Sequence, residues 1–320
     1  MKLAFIIDPI ARLDPAHDSS VALMESACTL GHQVWICQPH HLSVIDRQTW
    51  GWLQPVQVLP IALVDGKWQV PHPWYHLRPA EFVCLAELDV VWMRPDPPVT
   101  TEYLYTTYIL DYANTRVINS PTGIRQANEK MYALQFGGAI PETIVSCDKK
   151  VIKDFVANKG EAVLKPLGGK GGEGILFLRQ GDRNLNSLIE ISTNFGKTAV
   201  MVQVYLPAAQ QGDKRVILLN GEPIGAVNRI PTSGEFRGNM AAGGTVAAIK
   251  ITPRELEICH QLAPVLQQDG LVFVGIDLIG GYLTEVNVTS PTGIREIDRL
   301  ALDPDHQRLG DQVINWLAQG

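Results

Sequence analysis

The stretch "EAVLKPLGGKGGEGILFLR" (161–179) constrains the fold more than any other part of the chain. It holds a literal G-x-G-x-x-G at 169–174. In a dinucleotide-binding fold such a loop must open a helix. Here apolar and β-branched residues stand on both sides ("AVLK", "ILFL"), so the loop joins two strands. A glycine-rich hairpin with a lysine on its incoming strand suits a flap over nucleotide phosphates. Without side chains, backbone N–H groups approach phosphate oxygens closely. An ordinary surface hairpin is the simpler reading, but this much glycine weakens a hairpin, which favours function. No G-x-x-x-x-G-K-[ST] occurs anywhere, so a Walker-type phosphate loop is excluded.

The chain opens differently. "KLAFIID" reads as a buried strand, and "DSSVALMESACTLGHQVWIC" as a capped helix, a stop at Gly31 and a second strand. That is a βαβ unit, yet its first turn, "DPIARLDPAHDSS", contains no glycine, so the dinucleotide fingerprint is missing. "LAELDVVWMRPDPP" ends a strand on Arg94 and Asp96, at the carboxyl edge where open α/β sheets bind ligands. A length of 320 residues suits two or three lobes. We expect an α/β substrate lobe over 1–122, a central lobe with the glycine lid over 123–200, and a third lobe over 201–320.

"LVFVGIDLIGGYLTEVNVTSP" (271–291) reads as strand, Gly-Gly turn, strand. Glu285 and Asn287, two apart, share one face. A two-residue loop pairs Asp277 with Thr284, whereas a three-residue loop sets Asp277 opposite Glu285. Facing carboxylates repel unless a cation lies between them. Carboxylate and amide oxygens beside a phosphate are what Mg²⁺ prefers.

A net charge of −6 argues against a nucleic-acid surface, and no apolar run reaches membrane-spanning length. Leu3–Ile7 is too short for a signal peptide. Five scattered cysteines without a C-x-x-C read as reduced thiols, which predicts a cytoplasmic protein. The hexapeptide SPTGIR occurs twice, at 120–125 and 290–295, in unrelated surroundings. Both copies are expected to start a helix, with Ser as cap and Pro in the first turn. The first helix is expected to run through Lys130.

Taken in order, "NEK" (128–130), "VLKPLGGKGGEGI" (163–175), "VQVYLP" (202–207), "GDKRVILLNGEPI" (212–224), "RIPTSGEFRGNMAAGG" (229–244) and "GIDLIGGYLTEVNVTSP" (275–291) resemble the ATP-grasp ligases. Most closely they resemble the prokaryotic glutathione synthetase family. "DPI" (8–10), "DSS" (18–20) and "MRPDPP" (93–98) extend the likeness over the N-terminal lobe. The resemblance implies an α/β, ATP-grasp fold: an open, Rossmann-like first lobe, then two α+β lobes that clasp ATP.

It also implies roles. Lys130 and Lys165 are similar to the lysines that hold ATP phosphates, beneath a lid of Gly168, Gly169, Gly171, Gly172 and Gly174. Gln203, Val204, Tyr205 and Leu206 resemble the segment whose backbone reads the adenine edge, and Asp213 joins the nucleotide set. Asp277, Glu285 and Asn287 resemble the ligands of Mg²⁺, with Mn²⁺ as the substitute ion. Arg215, Arg229, Arg237 and Asn239 match positions facing the peptide substrate and the transferring phosphoryl group. Arg94, Gly243 and Gly244 are assigned to substrate. Thr289 and Ser290, expected at a helix N-terminus, are assigned to the carboxylate of the acceptor glycine.

The implied reaction joins γ-glutamylcysteine to glycine with ATP, giving glutathione, ADP and phosphate through an acyl phosphate. That chemistry asks for positioning and charge neutralisation, not a nucleophilic side chain. The inventory fits, with Lys, Arg and oxygen ligands and no obvious Ser-His-Asp set. A homo-oligomer, by family likeness a tetramer, is the implied assembly. Two alternatives stand beside this reading: another ATP-grasp ligase, joining D-alanine or adding glutamate, and a non-catalytic ATP-binding regulator.

Overall fold

A computed structural model of the chain describes residues 1–169, 171–232, 245–301 and 305–319. Strand Lys2–Ile6 runs parallel to Gln33–Cys37 on one side and to Val90–Met93 on the other. Arg116–Ile118 continues the parallel set beyond Val90–Met93. Leu3, Ala4, Phe5 and Ile6 are all fully buried, as a strand covered on both faces requires. Past Gln33–Cys37 the sheet turns antiparallel. There the long strand Gln48–Val58 pairs with Leu42–Ile45, Tyr75–Leu77 and Glu81–Cys84. Helix Ser19–Thr29 begins where the Asp18 carboxylate accepts the N–H groups of Ser20 and Val21. The C-terminal helix Leu309–Ala318 returns to this lobe, adding Val313, Ile314 and Leu317 to the apolar cluster of Val21 and Leu23.

The second sheet is antiparallel, in the order Thr143–Ser146, Val200–Val204, Glu161–Pro166, Leu176–Arg179. Leu164 pairs with Leu176, so the glycine loop joins two neighbouring strands as its flanks predict. Gly169, Gly171, Gly172 and Gly174 have φ of 96°, 62°, 80° and 70°. Side chains rarely tolerate that left-handed region, which is why glycine fills it.

The third sheet is antiparallel, in the order Thr245–Ala248, Glu222–Ile230, Asp213–Leu219, Phe273–Ile279, Tyr282–Asn287. Helix Pro253–Gln268, opened by a reciprocal Thr252–Glu255 capping box, contributes Ile258, Leu262 and Leu266 to the core it shares with Val274 and Val286. No helix among the described residues is long and apolar enough to cross a membrane.

The two SPTGIR copies adopt different structures. Ser120 caps helix Pro121–Gln126, its hydroxyl accepting the Gly123 N–H at 3.3 Å. That helix stops at Gln126, short of the expected Lys130. In the second copy no helix starts at Pro291; helix Ile294–Arg299 begins only after Gly293. The reason lies in the carbonyls. Pro291 O accepts from Arg94 Nη2 at 3.0 Å and Thr292 O from Arg215 Nη1 at 3.1 Å. These oxygens would otherwise be helix acceptors, and the arginines hold them elsewhere.

Candidate active site

The hairpin Phe273–Ile279 and Tyr282–Asn287 combines features of both expected loops. Gly280-Gly281 forms a two-residue turn, with Ile279 paired to Tyr282 and Leu278 to Leu283. A β-bulge then shifts the register, so Asp277 pairs with Glu285 and Gly275 with Asn287. Thr284 is the extra residue, and its hydroxyl donates to Asp277 O at 3.1 Å. The bulge places Asp277 and Glu285 on one face.

Cations surround that face. Arg215, paired with Asp277 across the neighbouring strand, grips its carboxylate through Nε–Oδ1 at 2.5 Å and Nη2–Oδ2 at 2.9 Å. Arg229 Nη2 lies 2.9 Å from the same Oδ1, while its Nε donates to Asp213 Oδ1 at 2.6 Å. Burial alone would raise the Asp277 pKa, but the two guanidinium groups outweigh it and hold the carboxyl well below its ordinary range. Asp213 moves the other way, because burial exceeds the pull of Arg229. Gly275 makes room for this arrangement: a Cβ there would stand 2.8 Å from Pro291 Cβ and 3.1 Å from Arg215 Cδ.

The two lysines converge on the same hairpin. Lys130 Nζ is 3.0 Å from Glu285 Oε1. Lys165 reaches from the lid strand to Gln203 Oε1 at 2.6 Å and to Thr284 O at 3.4 Å. Burial pulls the Lys165 pKa below the ordinary lysine value, against the pull of Glu285. Gln203, only 2% exposed, is fixed in turn by donating to Thr143 Oγ1 at 3.0 Å. Its side chain serves Lys165, a role distinct from the backbone contact expected of it. The N–H groups of Val204 and Tyr205 are taken by Glu142 O and Glu161 O, at 2.9 and 3.1 Å. Leu206 follows at the start of the next turn.

Arg94 is 3% exposed. It donates from Nε to Ser20 Oγ at 3.0 Å and from Nη2 to Pro291 O, over the Phe273 ring. Its Nη1 is buried without a hydrogen-bond partner among the described residues. Burial lowers its pKa, while Asp18 and Asp96 raise it. Ser290 Oγ donates to Arg94 O at 3.3 Å, so these two substrate candidates meet, though not at a helix N-terminus. Thr289 turns instead to Glu129, which sequence reasoning left without a role. Glu129 Oε1 accepts from Val288 N at 3.0 Å, Thr289 N at 3.2 Å and Thr289 Oγ1 at 2.9 Å. Burial and the nearby Glu285 push the Glu129 carboxyl up despite those bonds. The signal lay in "NEK", an acidic residue beside the lysine expected to hold phosphate. Arg237, Asn239, Gly243 and Gly244 lie outside the described residues.

The donor set fits a hard divalent cation. Glu285 supplies a carboxylate, and Asn287, which donates from Nδ2 to Gly275 O and to Asp277 Oδ2, adds an amide oxygen to the set. Asp277 shares the face but is committed to its arginines. Among the described residues no group of three or more His, Cys, Asp or Glu forms a protein cage. Such an open set suits Mg²⁺, which binds through one or two carboxylates and completes its shell with phosphate and water.

Comparison with known proteins agrees with this geometry. The N-terminal domain model of prokaryotic glutathione synthetase matches residues 1–125, and its ATP-grasp domain model matches residues 129–302. A glutathione synthetase of Nostoc sp. is 63% identical over 320 residues, covering 99% of this chain and 98% of that protein. One from Synechocystis sp. is 61% identical, covering 99% of each. Among solved structures, D-cycloserine synthetase DcsG superposes with a TM-score of 0.63 at 17% identity, over 100% of this chain and 99% of that one. A RimK-domain ATP-grasp protein from Sphaerobacter thermophilus superposes with a TM-score of 0.62 at 17% identity, over 99% of each chain. The structural likenesses show the ATP-grasp fold, and the family models and relatives show more: this chain is a member of the prokaryotic glutathione synthetase family, an ATP-dependent ligase.

Proposed function

We infer that the enzyme joins γ-glutamylcysteine to glycine at the expense of ATP, releasing glutathione, ADP and phosphate. The observation that carries this reading is the convergence of Lys130, Lys165, Arg215 and Arg229 on one bulged hairpin, beside the base of a glycine lid. A carboxylate is a poor electrophile. Its oxygen attacks the γ-phosphorus, ADP leaves, and the acyl phosphate accepts the glycine amine with loss of phosphate. Charge gathers on phosphate oxygens in both steps, so fixed cations are what the reaction needs.

Lys130 and Lys165 hold the phosphates, and the lid Gly168–Gly174 presents backbone donors above them. The segment Gln203 to Leu206 borders the adenine, with Asp213 at the nucleotide side. Glu285 and Asn287 hold Mg²⁺ or Mn²⁺, with Asp277 beside them; when bound, the ion neutralises phosphate charge. Arg215 and Arg229, with Arg237 and Asn239, orient the dipeptide and the phosphoryl group. Arg94, whose Nη1 lacks a partner among the described residues, and Ser290 border the substrate side with Thr289, Gly243 and Gly244. Free cysteines fit a reducing cytoplasm. Family likeness makes a homotetramer the expected assembly, which light scattering reads.

The test is incubation with ATP, Mg²⁺, γ-glutamylcysteine and glycine, following ADP and glutathione together. ADP release that requires both amino substrates supports the reading. Release only with D-alanine, or only with a glutamate acceptor, moves the chain to another ligase. Nucleotide binding without turnover makes it a regulator.

A further inference from the structure

Lys130 is not held by a regular element. It lies after helix Pro121–Gln126 and immediately before a short 3-10 turn, Met131–Gln135. Its position is set by the two residues in front of it. Asn128 Oδ1 accepts the N–H groups of Lys130 at 3.2 Å and Met131 at 3.0 Å, closing the local turn. Asn128 Nδ2 donates to Leu167 O at 3.0 Å, on the residue that leads into the glycine lid. Glu129 fastens the other side. Its carbonyl accepts Val286 N at 3.0 Å, and its Oε1 accepts from Val288 N, Thr289 N and Thr289 Oγ1. Thus Asn128 reaches the base of the lid, Glu129 reaches the end of the hairpin, and Lys130 stands between them on Glu285.

We propose that Asn128 and Glu129 are positioning residues, a strap that fixes the Lys130 ammonium against the hairpin and couples it to the lid base. This rests on the proposed nucleotide role of Lys130. A lysine on a flexible four-carbon stem loses more rotamer freedom than most side chains when it holds a phosphate. Fixing its backbone from two directions removes the further cost of ordering that segment when ATP arrives. Oε1 of Glu129 works as an acceptor of neutral donors, so an amide oxygen at the same position keeps the strap. At Asn128 the donor and the acceptor are separate atoms with separate tasks. Asn128→Asp keeps the turn and loses the tie to Leu167, whereas Asn128→Ala loses both.

The experiment measures ADP binding by calorimetry and steady-state ATP kinetics on the full chain, with thermal melting beside them. If the wild type neither binds nucleotide nor turns over, the proposed function itself fails, separately from the strap. With an active wild type, Glu129→Ala should weaken ADP and raise the ATP KM on the order of tenfold or more, with the KM for γ-glutamylcysteine changed far less. Glu129→Gln should restore most of the nucleotide affinity. Asn128→Asp should fall between the wild type and Asn128→Ala, which reads the same quantity if Glu129→Ala does not fold. ATP parameters within twofold of the wild type in both alanine variants would overturn the proposal. So would a Glu129→Gln defect as large as that of Glu129→Ala, since charge and not hydrogen bonding would then matter.

Discussion

The Asp277 carboxylate holds the Arg215 guanidinium through two bonds, Oδ1 to Nε at 2.5 Å and Oδ2 to Nη2 at 2.9 Å, with both side chains inside the protein. Asp277 therefore joins two of the sheet's strands electrostatically while standing beside the donors that fit a metal. Removing its charge leaves Arg215 without a carboxylate partner, and Arg229 with Asp213 alone. Breaking one side of a buried pair costs about 3–5 kcal/mol. Asp277→Asn should lower stability to urea by about that amount, and a loss under about 1 kcal/mol would show that the network contributes little.

The same pair should make the fold's stability fall in acid. The Asp277 pKa is depressed below its usual 3.8, so its pairing stabilises the fold fully above that value. As pH falls through 3.8 the unfolded chain takes up a proton first, and the contribution fades toward the lower folded pKa. Urea midpoints collected across the acid range should fall steeply in the wild type and more gently in Asp277→Asn. Parallel curves would assign the acid limb to other groups.

Gln203 and Lys165 make a second linked pair, joined at 2.6 Å and backed by Thr143. Gln203→Leu keeps the volume and strips the nearer acceptor from a half-buried ammonium, leaving only the longer contact to Thr284 O at 3.4 Å among the described residues. ATP affinity should fall by about 1.5–3 kcal/mol, the worth of a hydrogen bond to a charged group. Because burial already lowers the Lys165 pKa, alkaline loss of ATP affinity should begin at lower pH than for an ordinary lysine, and earlier still in the variant. A titration of ATP affinity against pH that ignores the substitution would remove Lys165 from the phosphate site.

Metal dependence separates the hairpin's residues. Glu285 and Asn287 offer oxygens, whereas Asp277 is occupied by arginines. Chelation by EDTA should abolish turnover, and excess Mg²⁺ should restore it. Glu285→Gln should raise the Mg²⁺ requirement on the order of tenfold to a hundredfold. An unchanged magnesium titration in Glu285→Gln would place the ion elsewhere.

Much of this was legible in the sequence. The strand-loop-strand character of 161–179 followed from its flanks, and the shared face of Glu285 and Asn287 from their spacing. The bulge at Thr284 was not legible, because alternation fixes register only where no residue is inserted. The second SPTGIR misled for a related reason. Its residues favour a helix start, but Arg94 and Arg215, distant in sequence, claim the carbonyls that a helix would use. The Arg215–Asp277 pairing left a faint trace: Asp213 and Arg215 are two apart on one strand face. Sequence spacing does not say which strand lies alongside.

The lid offers the sharpest test of backbone demand. Gly174 has φ of 70°, and a Cβ there would lie 2.8 Å from Pro166 Cγ, on the strand that carries Lys165. Gly168 has no left-handed φ and an open surrounding within 4 Å of its would-be Cβ. Alanine at 174 must therefore strain the left-handed turn by about 1–2 kcal/mol or push the proline aside, whereas alanine at 168 meets neither demand. If the loop encloses the proposed acyl phosphate, displacing it would admit water to that intermediate. Gly174→Ala should consequently release more ADP than glutathione and lose about tenfold in kcat/KM for ATP, with Gly168→Ala affected less. Tight coupling in Gly174→Ala, with one glutathione per ADP, would mean that the glycines serve the hairpin's shape and not the enclosure of the intermediate.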